Sequence, residues 1–226
     1  MLNSKNTATL LTLIKWPTAT LFLSFLPASA MLIGHELFIF NQKSYQFGNL
    51  LLGFSVYMLI WYFYIKKINI SILSTFEHEI THCIFAWLTF NRVVSLSATL
   101  KRGGHMKFEG HANWLISVSP YFFPTLTFAI LLISGVVGYS ENHFNYIFVG
   151  ASLGYHITST FHETHHAQTD LQEVGFIFSI LFLPTANLLC YSIVLAVLTD
   201  GWNGFTNCFA YLAQSSLNPF QIFLML

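Results

Sequence analysis

Charge is what this chain has least of. Lys plus Arg number nine, Asp plus Glu nine, and together they make up 8% of 226 residues. A soluble domain carries about 25% charged residues, so this complement is too small to coat a water-facing surface and lipid is expected to solvate the chain. A formal net charge of zero leaves no electrostatic footprint for a nucleic-acid partner. Cysteine is equally sparse. Cys83, Cys190 and Cys208 are odd in number and mostly within apolar runs, which excludes a disulfide framework and suits small core residues. No internal repeat or linker is visible, and residues 1–226 read as a single polytopic membrane domain.

What the chain does have is apolar surface and histidine. It is 54% hydrophobic and 17% aromatic, and its ten histidines outnumber the nine carboxylates. In a chain with so little Lys, that excess points to metal before pH sensing. Apolar stretches fall at 17–40, 47–65, 69–90, 113–138, 144–161 and 171–199, each near the ~20 residues a helix needs to cross a bilayer. The expected fold is an all-α integral membrane protein with about six transmembrane helices. Ala28-Ser29-Ala30 resembles a signal-peptidase site, but the apolar run continues to Phe40, which favours a retained helix. From Gly201 the chain is broken by Asn and Gly, and 201–226 is read as an interfacial segment with Trp202 and Tyr211 as anchors. Gly150-x-x-x-Gly154 is expected to let two helices approach closely.

One segment has a different period. Val94, Leu96, Ala98 and Leu100 alternate with Ser95, Ser97 and Thr99, the pattern of a strand. Lys101-Arg102-Gly103-Gly104 then reads as a turn, and His105 to His111 alternate on the way back. A β-hairpin is therefore expected between the third and fourth helices. Taking the hairpin side of the membrane as side B and the opposite side as A, the basic residues lean slightly toward B as cytoplasmic.

The polar residues of the third helix carry the chemistry. His78-Glu79-Ile80-Thr81-His82 is an H-E-x-x-H sequence. On a helix, residues four apart share a face, so both imidazoles can reach one metal ion. Glu79, next to the first histidine, is placed to take a proton from a water there, and zinc lowers the pKa of bound water towards about 7. Polar side chains at mid-membrane are expensive and by default functional. Two histidines leave such a site one protein ligand short. Asp170 and Asp200 are the acidic candidates. Counting crossings puts Asp170 on side B with the hairpin and Asp200 on side A, while His82 lies about 12 Å from the B end at 1.5 Å per residue. Asp170 is the better ligand if its segment dips inward; Asp200, followed by Gly and Trp, suits a helix terminus. Glu77 points to a different face of the helix and has no evident role.

HEITH inside a membrane helix, then a hairpin, a helix and a later Asp, resembles the site-2 protease family of intramembrane zinc metalloproteases, in particular its compact bacterial branch without a PDZ domain. Further matches are Ser119-Pro120-Tyr121-Phe122-Phe123-Pro124 and Gln168-Thr169-Asp170-Leu171-Gln172-Glu173-Val174-Gly175, so the resemblance covers roughly residues 75–190 within a metalloprotease-like core at about 69–199. It implies one zinc per chain held by His78, His82 and Asp170, with Glu79 as general base. It also implies a membrane-protein or peptide substrate and a multi-pass location, in the inner membrane of a bacterium. The chain departs from the family at Asp170, which lacks the following Gly of an Asn-Pro…Leu-Asp-Gly context; Asn187 and Asp200-Gly201 echo the missing pieces at the wrong spacing.

Two other readings use the same residues. His78-x-x-x-His82 and His162-Glu163-Thr164-His165-His166 echo the histidine boxes of membrane di-iron fatty-acyl desaturases and hydroxylases. Those need about eight histidines, so His105, His111 and His156 would have to converge. A metal carrier would use His78, His82 and the His-rich loop with no need for Glu79. In a protease, His156, His162, His166 and Asn187 are candidates for a supporting or substrate-facing role. The plainer expectation is a core histidine at 156 and a solvated loop at 162–166.

Overall fold

In a computed structural model, which describes residues 3–66, 72–99, 103–138 and 142–217, the chain is a helical bundle carrying one small hairpin. Its elements are α1 (Ser4–Asn41), α2 (Ser44–Ile60, extended by a π-helical turn, Trp61–Ile65), α3 (Ile72–Leu88), β1 (Arg92–Thr99), β2 (Gly103–Glu109), α4 (Trp114–Val118) and α5 (Thr125–Val137). After these come α6 (His143–Glu163), α7 (Thr169–Val174) and α8 (Phe176–Leu217). Among the described residues, three helices are long and apolar enough to cross a membrane: α1, α2 with its π-helical turn, and α8. There are four if the bent pair α4–α5 counts as one span. The protein is thus a multi-pass membrane protein. Of the six expected spans, the remaining two correspond to α3 and α6, the helices that carry the polar site.

The expected 113–138 helix is not straight. α4 runs through a 3₁₀ turn at Ser119–Tyr121 and then meets α5 at an angle of 80°. Pro120 and Pro124 are the cause. Each lacks the N–H that would continue a helix; Ser119 before Pro120 is still helical, and the chain leaves helical geometry at Phe122 and Pro124. The 171–199 stretch is likewise divided, because Gly175 adopts φ +92° between α7 and α8, a conformation that costs glycine little.

Two long helix pairs frame the bundle. α1 packs along α8, tied by the Thr185 hydroxyl donating to the Phe22 carbonyl at 2.7 Å. α2 packs along α6 with backbone nearly touching backbone. A Cβ added at Gly150 would lie 2.0 Å from the Leu50 oxygen, and one added at Gly53 would lie 1.9 Å from the Ile147 oxygen. Gly154 faces Tyr57 on the same seam, the close approach expected of small residues at helical spacing. The main apolar core sits between α1, α3, α4, α7 and α8, with Phe85, Trp114, Tyr121, Leu171, Phe178 and Phe182 buried together. All three cysteines are free and buried.

The described part of the C-terminal segment packs back on the bundle. Asp200 and Gly201 leave helical geometry, and beyond them Gly204 lies against the Ala196 carbonyl. Cys208 joins Leu32 and Ala196 in a buried cluster, and Tyr211 stacks on His35 of α1 at 4.1 Å. Tyr211 thus faces the bundle, while Trp202 stays exposed as an anchor would. Residues 218–226 lie outside the described residues.

β1 and β2 pair antiparallel, from Arg92 with Glu109 to Thr99 with Gly103, with an irregularity between Val93 and Ser95. That bulge interrupts the simple alternation. Val93, Met106 and Phe108 pack on the core, whereas Val94 and Leu96 are exposed. The expected turn residues Lys101 and Arg102, and Leu100 before them, lie outside the described residues.

Candidate metal centre

The site is assembled from α3 and α7, with α4, α6 and β2 around it. His78 and His82 stack one turn apart on α3, ring centroids 4.7 Å from each other. Asp170 enters from the first turn of α7. That six-residue helix is held in place by burial of Leu171 and Val174 in the main core, and by the Lys15 ammonium, which donates to the Val174 carbonyl at 2.6 Å. The segment after α6 therefore dips into the bundle, the condition on which the choice of Asp170 depended. Asp170 Oδ2 lies 3.1 Å from His78 Nε2 and 3.4 Å from His82 Nε2. The Tyr121 hydroxyl, from the 3₁₀ turn, donates to the same oxygen at 3.3 Å. Burial works to raise the Asp170 carboxyl, but the hydrogen bonds to His78 and His82 outweigh it and hold the group well below the usual carboxylate range.

Each histidine has its other ring nitrogen engaged. His82 Nδ1 donates to the Ile116 carbonyl at 2.8 Å. The same carbonyl also accepts from the Ser119 N–H and, at 2.8 Å, from the Ser119 hydroxyl, while Pro120, four positions on, has no N–H to give it. His78 Nδ1 meets Glu163 Oε2 at 3.0 Å. With both Nδ1 atoms so engaged, both Nε2 atoms face Asp170. Among the described residues, His78, His82 and Asp170 are the set whose donor atoms, all within 4.8 Å of one another, could hold a metal ion. Two imidazole nitrogens and a carboxylate oxygen are a donor set that suits zinc, and three protein ligands are the number a catalytic zinc takes.

Glu79 lies beside this cluster and lines the same cavity of about 730 Å³, whose walls include Tyr57, Trp61, Gly104, His162 and Asp170. The hairpin closes over it: a Cβ at Gly104 would meet Glu79 Cγ and Oε1 at 2.5 Å.

The other candidates are spread out. His162 lines the cavity. His166 stacks on Phe176 at 4.0 Å outside it, while His165 takes a place in its wall. His156 is buried between Tyr191, whose hydroxyl lies 2.9 Å from Nδ1, and Thr160. Asn187 donates to the Tyr121 carbonyl at 2.9 Å and accepts from Tyr191, so it supports the turn that carries Tyr121. Asp200 sits exposed at the break in α8. Glu163, inside the motif first read as a histidine box, was not singled out in the sequence; the only signal was a carboxylate at the end of an apolar helix. The histidines around it do not join His78 and His82, as a di-iron site would require.

Residues 50–153 match the model of the Peptidase M50B-like family. The match takes in α3, the hairpin and the SPYFFP turn, and ends before Glu163 and Asp170. No curated protein and no solved structure matches the chain.

Proposed function

We propose that the chain is a member of the site-2 protease family, the reading supported by the Peptidase M50B-like match over residues 50–153, and that it is a zinc-dependent intramembrane endopeptidase. It hydrolyses peptide bonds in or beside the transmembrane segments of membrane proteins, in the inner membrane of a bacterium. One observation carries this reading: His78, His82 and Asp170 converge beside Glu79 in a single cavity bordered by the hairpin. These three residues would hold one zinc ion per chain, which would supply Lewis-acid chemistry there.

The rest falls to the chain's own groups. Glu79 is the general base. Its carboxylate accepts a proton from the attacking water and returns it to the amine nitrogen as the C–N bond breaks. The Tyr121 hydroxyl and the Leu171 and Val174 anchors keep Asp170 at the site. A helical substrate hides its carbonyls in its own hydrogen bonds, so it must be drawn out locally before attack. An edge of the β1–β2 hairpin next to Glu79 can hold an extended segment by strand addition. The cavity lies within the size range of sites that enclose a ligand.

Metal analysis of the purified protein beside Glu79→Gln tests the proposal. The expected result is one zinc per chain in both forms, with cleavage of a membrane substrate abolished in the variant. Two irons per chain would replace this reading with fatty-acyl oxidation. Zinc binding with an activity indifferent to Glu79 would point to a carrier.

A further inference from the structure

We propose that Glu163 is a positioning residue of the metal centre, holding the His78 imidazole by Nδ1 so that Nε2 faces Asp170 and His82. This rests on the metal-site reading above and extends it to a residue outside the H-E-x-x-H sequence and outside the matched region.

The geometry separates this role from that of a fourth ligand. The two nitrogens of an imidazole point from opposite edges of the ring. A carboxylate 3.0 Å from Nδ1 therefore stands behind the ring, away from whatever Nε2 binds. Glu163 is itself fixed. Its Oε1 accepts from the Ser74 hydroxyl and, at 3.3 Å, from the Ser159 hydroxyl, and the two serines are 2.7 Å apart. One oxygen is thus committed to α3 and α6 hydroxyls and the other to His78, which leaves the carboxylate a single orientation.

The two histidines are held unequally. His82 leans on a neutral backbone carbonyl, Ile116, whereas His78 leans on a charge. A carboxylate partner raises the basicity of a ligating imidazole as well as fixing its tautomer. It also completes the local charge balance. Asp170 and Glu163 together bring two negative charges against a divalent ion bound by neutral imidazoles, and uncompensated charge is costly in a low-dielectric bundle. The simpler role, a tie between α3 and α6 through Ser74, predicts a loss of stability with no change in metal affinity.

The test is zinc affinity of the full-length protein in detergent, by competition with a chromophoric chelator, together with the visible spectrum of the cobalt-substituted form. Glu163→Ala is expected to weaken zinc about 10- to 100-fold and to alter the cobalt spectrum. Glu163→Gln keeps an acceptor for Nδ1–H without the charge, so a smaller loss is expected with the fold intact. Zinc affinity within about threefold of the parent in Glu163→Gln, well short of the loss a supporting carboxylate gives, together with an unchanged cobalt spectrum, overturns the proposal even if Glu163→Ala does not fold. His78→Ala is the reference. If it too leaves zinc binding intact, the metal-site reading has failed and takes the role of Glu163 with it. If only His78→Ala loses zinc, the metal site stands and the role of Glu163 alone is refuted.

Discussion

Gly104 of the hairpin lies directly against Glu79 of α3. A methyl group at position 104 would come within 2.5 Å of Glu79 Cγ and Oε1 and 2.7 Å of Thr75 Cγ2. The absence of a side chain at 104 therefore sets how closely the hairpin covers Glu79, the proposed base. Gly104→Ala forces either the strand or the Glu79 side chain to move. Because displacing a reacting group by about 1 Å costs on the order of 100-fold in rate, peptide cleavage should fall by roughly that factor. Zinc content, which on the proposed reading depends on His78, His82 and Asp170 and not on Glu79, should stay at the parent level. Loss of zinc together with activity would show that the hairpin supports the whole site.

Glu77, one residue before the motif, has its role on α5. Its Oε1 accepts from the Leu126 N–H at 2.8 Å, satisfying one of the unpaired donors of that helix's first turn. A negative charge there also suits the helix dipole. The neighbouring Thr81 and Thr125 hydroxyls add a second tie between the same helices. Glu77→Ala should lower stability by about 1 kcal/mol, the usual worth of a capping acceptor, read as a lower midpoint of thermal unfolding in detergent. Glu77→Gln, which keeps an acceptor, should lose less.

The α2–α6 seam gives a prediction about packing. Gly53 and Gly150 each face a backbone carbonyl of the opposite helix, those of Ile147 and Leu50. Neither carbonyl can yield as a side-chain tip does. Gly53→Ala and Gly150→Ala should each cost about 1–3 kcal/mol, the range for overpacking a tight contact. Because α6 carries Glu163 and α2 carries Tyr57 and Trp61 of the cavity wall, both variants should also change the apparent affinity for substrate. Unchanged thermal stability in both would mean that the helices can part without loss.

Much of the centre was legible because its parts obey local rules. His78 and His82 follow from helical spacing alone. Asp170 followed from counting crossings, a topological argument that needed no contacts. Glu163 and Glu77 were not legible for one shared reason: their partners, His78 and Leu126, lie 85 and 49 positions away, and no periodicity encodes such a pairing. The bend between α4 and α5 was written in Pro120 and Pro124, but reading 113–138 by hydropathy alone passed over it. The turn at this bend also carries the site: the Ile116 carbonyl, just before it, accepts from His82 Nδ1, and Tyr121 within it donates to Asp170. Of the six expected spans, three or four are long and apolar enough to cross a membrane among the described residues, and the other two are α3 and α6. The apolar runs of α3 and α6 look like lipid-facing helices, yet one face of each is given to the polar site.

The choice between the two acidic candidates can be settled by direct comparison. Asp170 shares its Oδ2 among His78, His82 and Tyr121, whereas Asp200 is exposed at a break in α8, on a different part of the bundle. Asp170→Ala removes one of three ligand atoms and should lower zinc content to a small fraction of one per chain after dialysis against a chelator. Asp170→Asn keeps the size and an oxygen but not the charge, and should retain zinc only weakly. Asp200→Ala should keep the full zinc content and near-parent cleavage. Tyr121→Phe supplies a finer control. It removes only the hydroxyl that steadies Asp170, a single hydrogen bond to a charged group worth about 1.5–3 kcal/mol, so zinc affinity should fall by less than in Asp170→Ala. If Asp200→Ala lost the metal and Asp170→Ala kept it, the inward dip of α7 would have no part in the metal centre.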